Sequence, residues 1–182
     1  MSKTKVTPAG RAGWSQLKEA RGFKGAEENK KYSQDLILPK EVGEKFVAEL
    51  QEEANKLHAQ AIERARMSGK NVRYAPPMIN YRDLPDGSIQ LSFKRKEDDG
   101  QPIIVGEDNK PTQGFVNRDA QIQIAFEVVP YVLASTFGVT FKLEVVKILE
   151  NKLSAASLND IFGEPAPTKD AAKPKPDLSD LF

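Results

Sequence analysis

The chain has 182 residues, no Cys, a single His and a formal net charge of +1. Without Cys it can build neither disulfides nor thiolate metal sites, and one His, His58, cannot supply a His-cluster metal site or a triad with a partner His. No apolar run approaches the ~20 residues of a membrane helix, and residues 1–5 lack the apolar stretch of a signal peptide, so a soluble cytoplasmic protein is expected.

The small net charge conceals a partition. Residues 1–35 hold eight Lys/Arg against four Asp/Glu, and residues 70–96 hold six against two. Residues 97–150 hold four against nine, and 157–182 hold three against five. Two basic segments offset by acidic ones can leave one face positive on a nearly neutral molecule.

In chain order, the first readable element is the strand around Trp14, Gln16 and Lys18, which share one side while Leu17 takes the other. With Leu17 in the core, Trp14 points to solvent beside a cation, a poor use of apolar surface unless something flat stacks on it. Leu36, Ile37 and Leu38 form a short buried run, and Tyr32 shares parity with Leu36 and Leu38, which suits a core or hydroxyl-anchored role. Residues 41–68 read as a helix: Phe46, Leu50, Leu57 and Ala61 recur at helical spacing, with Pro39 before the start and Gly69 after the end. His58 lies within it as a surface or boundary imidazole.

The remainder reads as strands. Ile89, Leu91 and Phe93 alternate with polar residues after the turn signal Pro85-Asp86-Gly87. Residues 102–105 form a short apolar run, 120–128 and 139–145 alternate cleanly, and 131–138 connect them. If Val128 points inward, Tyr131 falls on the outer face. Glu97, Asp98 and Asp99 before Gly100 are an acidic turn rather than a metal cluster. Four or five such strands and one long inserted helix imply a mainly β chain, an OB-type five-stranded barrel with the helix across one end. This body spans residues 1–156. Residues 157–182 are rich in Pro, Ala and charge, cannot offset their ordering entropy by burial, and are expected to be a disordered tail.

No set of converging nucleophiles, acids or metal ligands is evident, and there is neither a phosphate-binding Gly-rich loop nor a Gly-x-Ser-x-Gly, so the chain reads as a binding protein rather than an enzyme. Trp14, Phe23, Tyr74 and Tyr81 are interleaved with Lys18, Arg21, Lys24, Arg73 and Arg82, all inside the basic segments. Bases offer flat π faces and phosphates offer charge, so this mixture suits sequence-tolerant single-strand binding. Trp14, Tyr81 and Tyr131, with Phe23 and Tyr74 next, are the candidate stacking residues. Lys18, Arg21, Arg73, Arg82, Lys94 and Lys96 are the candidate phosphate contacts, the last two on the polar face of their strand.

Gly10-Arg11-Ala12-Gly13-Trp14, Arg21-Gly22-Phe23, Tyr32 leading into Asp35-Leu36-Ile37-Leu38-Pro39 and the long helix resemble the replicative single-stranded-DNA-binding proteins of bacteriophages. The strand from Gly87 to Lys94 and the stretch from Val129 through Phe137-Gly138-Val139 to Glu144 continue the likeness, a thin pattern over residues 6–150. The resemblance implies an OB-fold with a helix inserted between strands, no cofactor, and an acidic tail ending in Phe that contacts replication or recombination proteins. This tail departs from that pattern in carrying Lys169, Lys173 and Lys175.

The motif Leu-x-Asp-(Ile/Leu)-Phe occurs twice, at residues 158–162 and at the terminus, where Asp177, Leu178, Asp180, Leu181 and Phe182 are the candidate docking residues. Two further readings share the same residues. One is an RNA-binding or chaperone OB-fold protein. The other is an adaptor acting through the repeated motif alone, for which the aromatics near 14, 81 and 131 should be buried.

Overall fold

Period-two alternation builds strands that close on themselves. The computed structural model describes residues 4–22 and 28–151, in the order β1 (Lys5–Val6), β2 (Gly10–Arg21), β3 (Lys31–Leu38), α1 (Lys40–Met67), β4 (Arg82–Asp83), β5 (Ile89–Lys96), β6 (Ile103–Val105), β7 (Gln121–Leu133) and β8 (Thr136–Glu150). Phe23, the copy at residues 158–162 and the terminal docking residues lie outside the described residues.

Five strands form a ring in the order β2-β3-β5-β8-β7 and back to β2. β3 and β5 are antiparallel from Leu38↔Ile89 to Lys31↔Lys96, β5 meets β8 in parallel at Lys94↔Lys142, and Gly10↔Ile122 closes the ring. This is the OB-fold barrel. β1 adds to β7, β4 to β5, and β6 pairs with β8 beyond the point where β5 leaves it.

The barrel interior is filled by the inward positions of these strands. Phe93, Phe126 and Phe141 meet there with ring centroids 5.0, 5.6 and 5.6 Å apart. The first half of α1 closes one end of the barrel: Phe46, Leu50 and Ala54 join the same buried cluster, and the Phe46 ring stands edge-on to Phe126 at 6.1 Å. Gly43 allows the close approach, since a Cβ there would lie 2.8 Å from the Ile89 side chain. The helix stops as its sequence predicts. Gly69 has φ +71°, Gly69 N–H donates to the Arg66 carbonyl, and Lys70 N–H donates to the Ala65 carbonyl, the paired bonds of a Schellman cap.

One expectation needs correction. Residues 131–138 are not a connection: β7 runs to Leu133, β8 starts at Thr136, and the pairing Leu133↔Thr136 leaves a two-residue turn. Ala134 takes φ 53°, a left-handed position usually given to Gly or Asn, so the turn has no sequence signal. The second half of α1 packs toward this hairpin. His58 Nε2–H donates to the Tyr74 carbonyl at 3.1 Å, and the His58 and Tyr74 rings lie 5.2 and 6.3 Å from Phe137.

Candidate nucleic-acid interface

β2 carries more residues than the strand it pairs with, and this sets its outer face. Between Ala12↔Leu36 and Ser15↔Gln34, Gly13 and Trp14 face Asp35 alone, a β-bulge; between Gln16↔Ser33 and Arg21↔Lys31 the strand absorbs further residues. Bulges bend a strand and re-aim its side chains. Gly13 suits the tight site, because a Cβ there would come within 3.1 Å of the Asp35 Cβ. Ala12 and Leu17 point into the barrel and Trp14 stands outside it, 65 % exposed.

Two adjoining grooves meet at Trp14. One, of about 300 Å³, is lined by Trp14, Gln16, Lys18, Arg21 and Phe115. The other, of about 590 Å³, is lined by Trp14, Arg11, Ile37, Arg82, Gln90 and Arg118. Tyr81, 47 % exposed, immediately precedes Arg82, which pairs with Gln90 at the start of β5. Lys94 and Lys96 project from the polar side of β5, reached from β2 through Gln16↔Ser33 and Ser33↔Lys94, and through Arg21↔Lys31 and Lys31↔Lys96.

The charges are unevenly committed. Arg11 pairs with Asp119 at 2.9 Å and lies 3.9 Å from Asp86. The Ser88 hydroxyl and amide, with Arg11 adding to them, hold the Asp86 carboxyl below the ordinary carboxylate range. Arg95 faces the other way and locks β5 to β8, donating to the Leu143 carbonyl and to Glu144. Arg82, Lys94, Lys96 and Arg118 are exposed and form no ion pair among the described residues. Acids share this face: Asp35 accepts from Gln90 Nε2 at 2.6 Å and from the Ser92 hydroxyl, Glu19 lines the first groove, and Asp119, paired with Arg11, lines the second. Four exposed cations outside ion pairs, beside acids that are partly committed to hydrogen bonds and to Arg11, make a surface suited to a polyanion carrying flat rings.

The predicted site residues divide into two groups. Trp14, Lys18, Arg21 and Arg82 line the two grooves, with Tyr81, Lys94 and Lys96 on the adjoining surface. Tyr131 is 45 % exposed but lies against Gly138 beside α1, in a separate depression with Lys5, Leu57, Arg64 and Val132. Tyr74 is half-buried against Phe137, and Arg73, exposed, precedes it. Sequence reasoning missed Phe115, Arg118 and Arg11. The first two lie in the acidic stretch 97–150, where regional charge counting hid them, and Phe115 belongs to a segment without alternation. Glu97–Asp99 form a 3-10 turn ending at Gly100, and among the described residues no cluster of three or more potential metal ligands occurs.

No family model and no curated protein matches the chain. Solved structures do. It is similar to gp2.5, a single-stranded-DNA-binding protein encoded by bacteriophage T7, with TM-score 0.67 and 18 % identity over 85 % of this chain and 95 % of that one. It is similar also to the single-stranded-DNA-binding protein of bacteriophage Enc34 in complex with single-stranded DNA, with TM-score 0.61 and 15 % identity over 82 % of this chain and 88 % of that one. The same Enc34 protein solved without the DNA gives TM-score 0.60 and 14 % identity, over 82 % of each chain. The fold of this chain is therefore the OB-fold of the bacteriophage single-stranded-DNA-binding proteins.

Proposed function

We propose that the protein coats unwound single-stranded DNA during phage replication, recombination or repair, and recruits partner proteins through its C-terminal residues. The observation that carries the first part is Trp14, an aromatic held outside the barrel by a bulge and placed where two cation-lined grooves meet. Bases stack on Trp14 and Tyr81, while Lys18, Arg21, Arg82, Lys94 and Lys96 neutralise phosphates. Stacking tolerates any base because every base has a π face, so sequence preference is weak. Exposure of residues 14, 81 and 131 counts against the adaptor reading, which requires them buried. Competition of labelled single-stranded DNA with unlabelled single strand, duplex and RNA tests the proposal. Single-stranded DNA should compete best; equal competition by RNA favours the RNA-binding alternative, and tight, salt-insensitive capture of one duplex sequence contradicts the reading.

The second part rests on the sequence of the terminus. Phe182 stands with Leu178 and Leu181 beside the acids Asp177 and Asp180, a combination suited to capture in an apolar pocket rimmed by cations. Deleting Phe182 should abolish pull-down of a polymerase, helicase or nuclease partner and leave oligonucleotide binding intact. If every partner interaction survives, Phe162→Ala distinguishes use of the upstream copy from failure of the idea.

A further inference from the structure

We infer that Phe115 is a further base-stacking residue of this interface, aimed by Asn151 and with Lys18 resting over one face of its ring until a strand arrives. The inference rests on the single-strand-binding reading above and extends it to a ring that neither the basic segments nor the strand pattern contains.

Phe115 is 67 % exposed, which gains nothing for the core, and it lines the same groove as Trp14. Yet its backbone is fixed. Asn151 Nδ2 donates to the Phe115 carbonyl at 3.0 Å, and Asn151 Oδ1 accepts from Asn117 N–H at 3.1 Å. Asn151 is held in turn by its own N–H, which donates to Glu107 Oε1 at 2.8 Å. Upstream, Thr112 N–H donates to the Ile104 carbonyl at 2.8 Å, tying the segment to β6. A phenyl ring on an anchored backbone in a cation-lined groove is pre-organised, so little ordering entropy remains to be lost when a base meets it.

Lys18 occupies the ring in the free protein. Its Nζ lies 4.0 Å from the Phe115 centroid and donates to the Gln113 carbonyl. A cation–π contact at an exposed site is weaker than a stacked base, so a base displaces the ammonium. The freed charge stays within the groove and meets a phosphate of the same strand. Lys18 thus rests over one face of the ring when no DNA is bound and adds to the electrostatic term when it is.

The test uses the full chain and an unlabelled oligothymidylate. Phe115→Leu, which keeps apolar bulk and removes the π face, should weaken binding about tenfold while the thermal midpoint stays within about 2 °C. In a Trp14→Phe/Phe115→Trp protein the sole indole reports from position 115, and its emission should be quenched by the oligonucleotide. Asn151→Ala should also weaken binding, and combining it with Phe115→Leu should add little, because the two act through one ring. Unchanged affinity of Phe115→Leu, or no response of the introduced indole, in a protein whose unaltered form binds the oligonucleotide overturns the inference alone. Failure of the unaltered chain to bind overturns this inference together with the proposed function.

Discussion

The barrel wall carries aromatic rings on both of its faces, and the two sets answer to different physics. Inside, Phe93, Phe126 and Phe141 touch one another and the helix residue Phe46, and Phe93 and Phe126 are wholly buried. Outside, Trp14 stands on a bulge and Phe115 on an anchored connection, both mostly in water. The inner set holds the fold together by burial and close packing. The outer set contributes almost nothing to it and is free for a ligand. The difference teaches that aromatic content alone says little here, since Trp14 and Phe93 occupy strands of the same sheet and only their direction separates stability from binding.

Removing an inner ring should have the largest effect. Phe126→Ala should lower unfolding stability by about 3–5 kcal/mol through lost burial and the cavity left behind, measured by denaturant unfolding. Its effect on DNA should appear only as loss of folded protein. Trp14→Ala should do the reverse, costing about 1–3 kcal/mol of oligonucleotide affinity with stability changed by no more than about 0.5 kcal/mol. Tyr131→Ala should cost less affinity than Trp14→Ala, because its ring lies against Gly138 beside the helix; equal losses place both rings on the path of one strand.

Smaller effects sharpen the electrostatic half of the contrast. Arg82→Ala and Lys94→Ala remove cations that form no ion pair among the described residues, so each should lower affinity modestly for all sequences. Each should also reduce the slope of log K against log salt by about 0.7, the value for one phosphate contact on a single strand. The smallest effect concerns Asp86, whose carboxyl is held low by the Ser88 hydroxyl and amide. A depressed folded-state value means its contribution is present above the unfolded value of about 3.9 and is lost as pH falls through the folded one. Asp86→Asn should therefore lower the thermal midpoint near neutrality, and the gap to the unaltered protein should close below about pH 4.

Much of this contrast is legible in the amino-acid sequence. Strict alternation at residues 89–93 and 120–128 specifies the inner face, and Leu17 fixes the direction of Trp14 by parity. The helix is readable because Pro39, Gly69 and an apolar stripe agree. Three things resist. The β7–β8 turn uses Ala134 and Ser135, so the two strands run on without a recognisable break. Parity rates Tyr131 and Trp14 alike as outward residues, but it carries no information about which outer surface each one reaches. Phe115 and Asn117, which flank the approach to Arg118, are anchored by Asn151, more than thirty residues away, and local composition cannot encode such contacts.

On the proposed function, the barrel's outer face, rather than its interior, receives a single strand at Trp14. Because Trp14 is the only Trp, its emission reports on that point directly. Titrating the full chain with an unlabelled oligothymidylate should quench the emission to saturation, with affinity that falls as salt rises. Duplex of equal length should quench far less at the same concentration. Binding without any change in Trp14 emission, or quenching that duplex and single strand produce equally, contradicts the account.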